Sequence, residues 1–307
     1  MKGEWENDLP ERLGPMTVKE LRQSLRRGSF VIPFIGIHVL AVIAMGAEFA
    51  RGDAGGTSEY IGAMNPWVLV NSGPFWMVVG AVCLVLLPLG GLALMGQEME
   101  DGNRELLLLT SLDRRKVVWG KFFALWGLTV VTFVSLMPYV VVRYLVGGVE
   151  WWHELVRAVT VLAGAAMIGA GAIGASSFRG MGARTAVFVL FVFSMFFGCL
   201  IPMAGAAAVG RGMGVFYHVT AICAVVCYTI AGLALARSRL RVAVMAYEVN
   251  PGNLPVALLI FAPFAIGLAT AVTLGVGGFV ALLLVALVAW KGDSKSKPGP
   301  NVWTVNY

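Results

Sequence analysis

The sequence predicts an all-α protein, a polytopic transmembrane helical bundle with both termini cytoplasmic. Three observations carry that reading. The first is composition: of 307 residues, 58% are hydrophobic and 13% charged, and the mean hydropathy is +0.81. A soluble domain carries about 25% charged residues. The second is a recurrence of apolar runs near the length of about 20 residues that a bilayer core demands of a helix. The third is a one-sided distribution of Lys and Arg between those runs. Together they exclude an ordinary soluble enzyme and a disordered chain. Four cysteines are too few for a disulfide scaffold.

The expected spans, in order, are Phe30–Phe49, Pro74–Gly96, Phe122–Val142, Ala158–Ser177, Thr185–Met203, Met213–Ala236, Pro255–Leu274 and Val276–Trp290. The first six form a core and the last two a C-terminal hydrophobic hairpin, about eight spans in all. The last run has 15 residues, or roughly 22 Å of helix, so a crossing and a re-entrant course both remain open.

Orientation follows from the 23 Lys and Arg. With the N-terminus inside, 19 of them fall on cytoplasmic segments and four (Arg51, Arg143, Arg157 and Arg211) on outer ones. That asymmetry is the positive-inside signature. It accounts for the net charge of +6 without any nucleic-acid partner. No secretory signal is expected, because the first 29 residues are polar and partly acidic. The first span would then serve as its own insertion signal.

Within residues 1–29, Thr17-Val18-Lys19-Glu20 reads as a capping box and Met16 can staple onto Leu21. The helix would run to about Arg27, with Gly28 as its stop. Val18, Leu21 and Leu25 share one side, while Lys19, Arg22 and Arg26 take the others. This is a short basic amphipathic helix suited to the cytoplasmic membrane surface. The outer loop 51–73 is Gly-rich and carries Pro66-Trp67. The inner loop 237–254 carries the turn signal Asn250-Pro251-Gly252, residues 242–290 hold the C-terminal hydrophobic hairpin, and residues 291–307 form a polar cytoplasmic tail.

The connector 97–121 is the most informative segment. It reads QEMEDGNRELLLLTSLDRRKVVWGK, with ten charged residues in 25. Glu98, Glu100 and Asp101 precede Gly102, and a helix is expected over Arg104–Leu109. A second helix, capped by Ser111 or Asp113, begins at Arg114 and continues through Gly120-Lys121 into the third span. Leu106, Leu107, Leu108 and Leu109 need cover, since full burial of each is worth about 1.5–3 kcal/mol. The membrane interface, the base of the bundle and a groove on a partner can each provide it.

Here the sequence resembles a family. The run Glu98, Glu100, Gly102, Glu105, Leu106, Leu107, Leu108, Thr110, Leu112, Arg114, Gly120 and Lys121 is similar to the connector between the second and third spans of type-2 ABC exporter membrane subunits. The resemblance covers roughly residues 16–241 and implies a six-span permease core over 30–241. It implies that the segment around Glu98, Glu100, Gly102, Glu105, Leu106, Leu107, Leu108 and Thr110 docks on a cytoplasmic ABC ATPase subunit. The helix with Lys19, Leu21, Arg22, Leu25 and Arg26 resembles the family's interfacial elbow. The chain has Ser111 where the family commonly has Pro, and its hairpin adds to the family's six spans.

The resemblance further implies a second permease copy, as homodimer or related heterodimer, and a bacterial inner membrane location. ATP and Mg would sit on the partner, since the chain itself has no G-x-x-x-x-G-K-[ST] run. No cofactor, metal or catalytic site is expected on this chain. The bilayer is its other partner. A dimer-lined route with few charges would carry an amphipathic or hydrophobic substrate.

Other features read as packing. Gly169-Ala170-Gly171-Ala172-Ile173-Gly174 matches G-x-G-x-x-G by letter, but it lies inside a hydrophobic run with no strand before it. Ala166, Ala170 and Gly174 have the small-xxx-small spacing that lets helices approach. Cys83, Cys199, Cys223 and Cys227 all fall in spans and read as small apolar residues. Pro33, Pro88, Pro138, Pro202 and Pro263 are candidate kinks. Arg143 is expected to snorkel to the interface, Glu48 and Arg143 lie near outer span ends, and His38 is the mid-depth ionisable residue. An ion-coupled secondary transporter would build on such groups. A non-transporting scaffold would keep the docking connector alone.

Overall fold

The computed structural model describes residues 28–51, 62–65, 67–92, 94, 114–147, 150–244 and 254–292. Among them there is no strand, and eight principal helices follow in sequence: α1 (Gly28–Arg51), α2 (Pro74–Gly91), α3 (Arg114–Gly147), α4 (Trp151–Ser176), α5 (Met181–Val209), α6 (Val215–Val244), α7 (Leu254–Val272) and α8 (Gly277–Gly292). A single helical turn, Trp67–Val70, precedes α2. By length and apolarity α1 to α7 are each able to cross a membrane, and α8 is a shorter apolar helix. The chain is a polytopic helical bundle.

Several span ends differ from the sequence expectation. α3 continues to Gly147 instead of Val142, and α4 begins at Trp151 instead of Ala158. A hydropathy criterion stops at Arg143 and Arg157, whereas the helices carry both residues inside, neutralised by partners. α6 likewise runs past Ala236 to Val244, with Arg237 buried under the ring of Trp290. α2 stops earlier, at Gly91. α3 starts at Arg114, as the connector sequence indicates.

α2 is not regular. Ala81–Leu86 is a π-helix between two α-helical pieces. Pro88 supplies the reason, since it has no N–H to give the Leu84 carbonyl and its ring crowds that carbonyl. The Leu87 N–H reaches back five residues to the Val82 carbonyl, the wider spacing of a π turn.

α4 and α6 form the centre of the bundle. α4 packs against α2, α3, α5 and α6, and α6 packs against α3, α4, α5, α7 and α8. Their contact is made by small residues. A Cβ on Gly174 would lie 2.7 Å from the Gly232 carbonyl oxygen, and one on Gly232 would lie 2.6 Å from the Ala170 carbonyl carbon. Such backbone proximity is the use of small-xxx-small spacing in lipid, where association rests on close packing rather than on expulsion of water. The letters of the G-x-G-x-x-G run therefore serve helix contact. Cys227 joins the apolar core beside Tyr228, and Cys223 packs against it.

The bundle is apolar outside. Ile32, Ile43, Phe193, Phe264 and Leu268 are all more than half exposed, an inverted pattern that hydrocarbon surroundings satisfy. Trp67, Tyr144, Trp151 and Trp152 are exposed near one end, where α1 and α3 finish and α2 and α4 begin. Indole and phenol rings collect at membrane–water interfaces. This end, opposite the start of α1, is called the far end below.

Gly232→Val should lower the thermal midpoint in mild detergent, with an overpacking cost of about 1–3 kcal/mol. Gly36→Ala, where a Cβ meets nothing within 4 Å, should leave the midpoint unchanged or raise it. Equal behaviour of the two variants in a thermal-shift series would contradict the packing described.

Candidate functional site

Two features of the far half stand together: a buried network of charges, and an apolar cavity beside it. The network is centred on Arg143, which is 0% exposed. Its Nε donates to Glu48 Oε2 at 2.8 Å, its Nη1 to Glu154 Oε1 at 3.0 Å, and its Nη2 to the Ser72 carbonyl at 3.0 Å. The guanidinium also lies over the Phe75 ring, 5.2 Å from its centroid. Glu154 accepts from Arg157 Nη1 and from Trp76 Nε1 at 2.9 Å.

Glu48 does a second job. Its Oε1 accepts from the Phe75 N–H at 2.7 Å, so a carboxylate of α1 caps the start of α2. Helix N-termini carry unpaired N–H groups and favour an anion. Gly73 makes room for it: its φ is +96°, and a Cβ there would lie 2.5 Å from Glu48 Oε1. Two carboxylates and two guanidinium groups leave no net charge.

This corrects the snorkelling expected of Arg143. The position of Arg157 in an outer loop is corrected as well: it is 4% exposed inside α4. A sequence signal did exist. Glu154 and Arg157 are spaced i, i+3, and charges of both signs cluster beside the span ends of one side. His38 lies within 3.2 Å of Tyr139 Oη through Nδ1 and stands edge-on to Phe34. It joins α1 to α3.

The cavity has a volume of about 260 Å³. Leu84 of α2, Thr160, Gly164, Met167 and Ile168 of α4, Met195, Phe196, Cys199, Leu200, Met203, Ala204 and Ala207 of α5, and Tyr217 of α6 line it, with Met64, Asn65, Leu69 and Met213 from the far-end connections. No acid or base lines it. Residues 62–65 form a strap over its far side. The Met64 N–H donates to Thr160 Oγ1 at 2.9 Å, and Tyr217 Oη donates to the Ala63 carbonyl at 3.0 Å. Met64 holds a φ of 65°, uncommon outside glycine. Such a cavity can hold an apolar group, and the one thiol on its wall is Cys199.

At the opposite end, Lys121 is 2% exposed, and its Nζ donates to the Leu94 carbonyl at 2.8 Å. This bond ties the start of α3 to the end of α2, joining the two feet of the 97–121 connector. The connector residues Glu98, Glu100, Gly102, Glu105, Leu106, Leu107, Leu108 and Thr110 lie outside the described residues, as do Lys19, Leu21, Arg22, Leu25 and Arg26. Lys121 itself belongs to the run on which the family resemblance was read. Among the described residues no group of three or more His, Cys, Asp or Glu side chains converges as a metal site.

Fold and site define a multi-pass helical membrane protein. Compared with protein families, curated proteins and solved structures, the chain matches none.

Arg143→Met should destabilise the bundle by about 3–5 kcal/mol, because it strands a buried carboxylate. Adding Glu48→Gln restores neutrality and should recover part of that loss. A double variant no more stable than Arg143→Met in denaturant or thermal unfolding would show that charge balance is not what the network supplies.

Proposed function

We propose that the chain is the membrane-spanning permease subunit of an ATP-driven ABC exporter. It works as a dimer in a bacterial inner membrane and carries an amphipathic or hydrophobic substrate. ATP and Mg belong to a separate cytoplasmic subunit. The dimer, the ATPase and the membrane of residence come from the family resemblance.

The observation that carries the reading is the connector 97–121, with its acidic lead, leucine run and Gly120-Lys121 exit. The Lys121–Leu94 bond supports it. A docking loop transmits force only if its ends are fixed to the helices it must move, and this bond fixes both. α2 then carries the displacement through its π-helix to Leu84 at the cavity and to Phe75 and Trp76 at the charge network. A route rich in buried charge would oppose a hydrophobic substrate. The four buried charges of the network are mutually paired, and none of them lines the cavity.

An ion-coupled carrier is the second reading, favoured by that same network, since intramembrane ionisable residues commonly mark ion paths. The tight pairing of every member argues for a structural use instead.

The test is a mild-detergent pull-down of the full chain, scored for a co-purifying ATPase by mass spectrometry and ATP turnover. A stoichiometric ATPase is expected. Glu105→Arg and Leu106→Asp should each insert normally and abolish the association. A folded, monodisperse preparation with no ATPase, or association unchanged in both variants, would overturn the proposal.

A further inference from the structure

We infer that the cavity between α2, α4, α5 and α6 is a binding site for one acyl chain of a membrane phospholipid, entered sideways from the bilayer. The inference does not depend on an ATPase partner. The location of the mouth is the first argument. Phe196, Leu200 and Ala204 all line the cavity and are also exposed on the outside of α5. They stand four residues apart, so they form one stripe about 12 Å long on a helix apolar enough to span a membrane. What lies against that stripe in a membrane is hydrocarbon.

The lining is the second argument. Five methionines, Met64, Met167, Met195, Met203 and Met213, face the cavity. Unbranched thioether side chains repack around occupants of variable shape, which suits a flexible chain better than a rigid ring. The hydroxyls of Thr160 and Tyr217 are engaged by the strap, so they hold the far end shut instead of courting a polar ligand. A dry apolar cavity of about 150 Å³ holds benzene, and this one, at about 260 Å³, has room for a longer chain. An empty void open to lipid would forfeit the dispersion contacts of its walls. The headgroup stays outside, in the leaflet at the far end, level with the strap.

The full chain is reconstituted in vesicles of phosphatidylethanolamine and phosphatidylglycerol, doped with a phospholipid bearing a diazirine on one acyl chain. After illumination, labelled residues are mapped by mass spectrometry. Phe264 and Leu268 of α7, which are broadly exposed, report ordinary boundary lipid. Labelling at Met195, Phe196, Leu200 and Met203 should exceed theirs several-fold. Ala204→Trp plugs the mouth at an already exposed position, and Ala207→Phe fills the interior. Each should cut cavity labelling several-fold while the α7 signal stays constant, which also reports intact insertion. Cavity labelling equal to that of α7, or unchanged in both variants, would overturn the inference. So would labelling by a diazirine free fatty acid but not by the phospholipid. Because the readout is binding alone, failure of the exporter proposal leaves this result standing, and the reverse holds too.

Discussion

One guanidinium organises the far half of the molecule. Arg143 is fully buried in a helix long and apolar enough to cross a membrane, and within a membrane an uncompensated charge is costly. Its donors are spent on Glu48 of α1, Glu154 of α4 and the backbone just before α2. Four helices thereby meet at one planar group. α1 gains most. Its outer face is exposed, and in lipid apolar surface gives no drive toward neighbouring helices. The Glu48 carboxylate and the His38–Tyr139 contact specify where it docks.

The rest of the bundle depends on a different device. α4 and α6 touch backbone to backbone through Ala170, Gly174 and Gly232. Around that axis α2 and α5 both lean on α4. The space between them, roofed by the strap at 62–65, is the methionine-lined cavity. Tight packing at the centre and a loose, adaptable lining at the side are thus consequences of one choice of residues: glycine and alanine on the axis, methionine beside it.

The existence and order of the helices were legible because hydropathy is the dominant signal in a chain solvated by lipid. Helix contact was legible at Ala170 and Gly174, where spacing alone identifies a packing face. The ends of α3 and α4 were misplaced because a charge was read as a limit of the membrane. Arg143 and Arg157 are instead cancelled by residues far away in sequence, and pairing of that kind is a property of the fold. The cavity was illegible for a related reason. A void depends on how helices lean, and no single run of residues encodes it. The two sets of site residues named from the sequence, on the connector and the N-terminal helix, fall outside the described residues.

The network also has a consequence in time. Glu48 and its arginine are 95 residues apart in the chain. At a synthesis rate of about 5–20 residues per second, that gap lasts roughly 5–20 seconds. Throughout it, the first helix holds a carboxylate whose partner has not yet been made. Glu154 follows its arginine after only 11 residues. The first helix is therefore a waiting element during biogenesis: inserted early, it can cap the second helix through Glu48, but it gains its counter-charge only when the third helix is made.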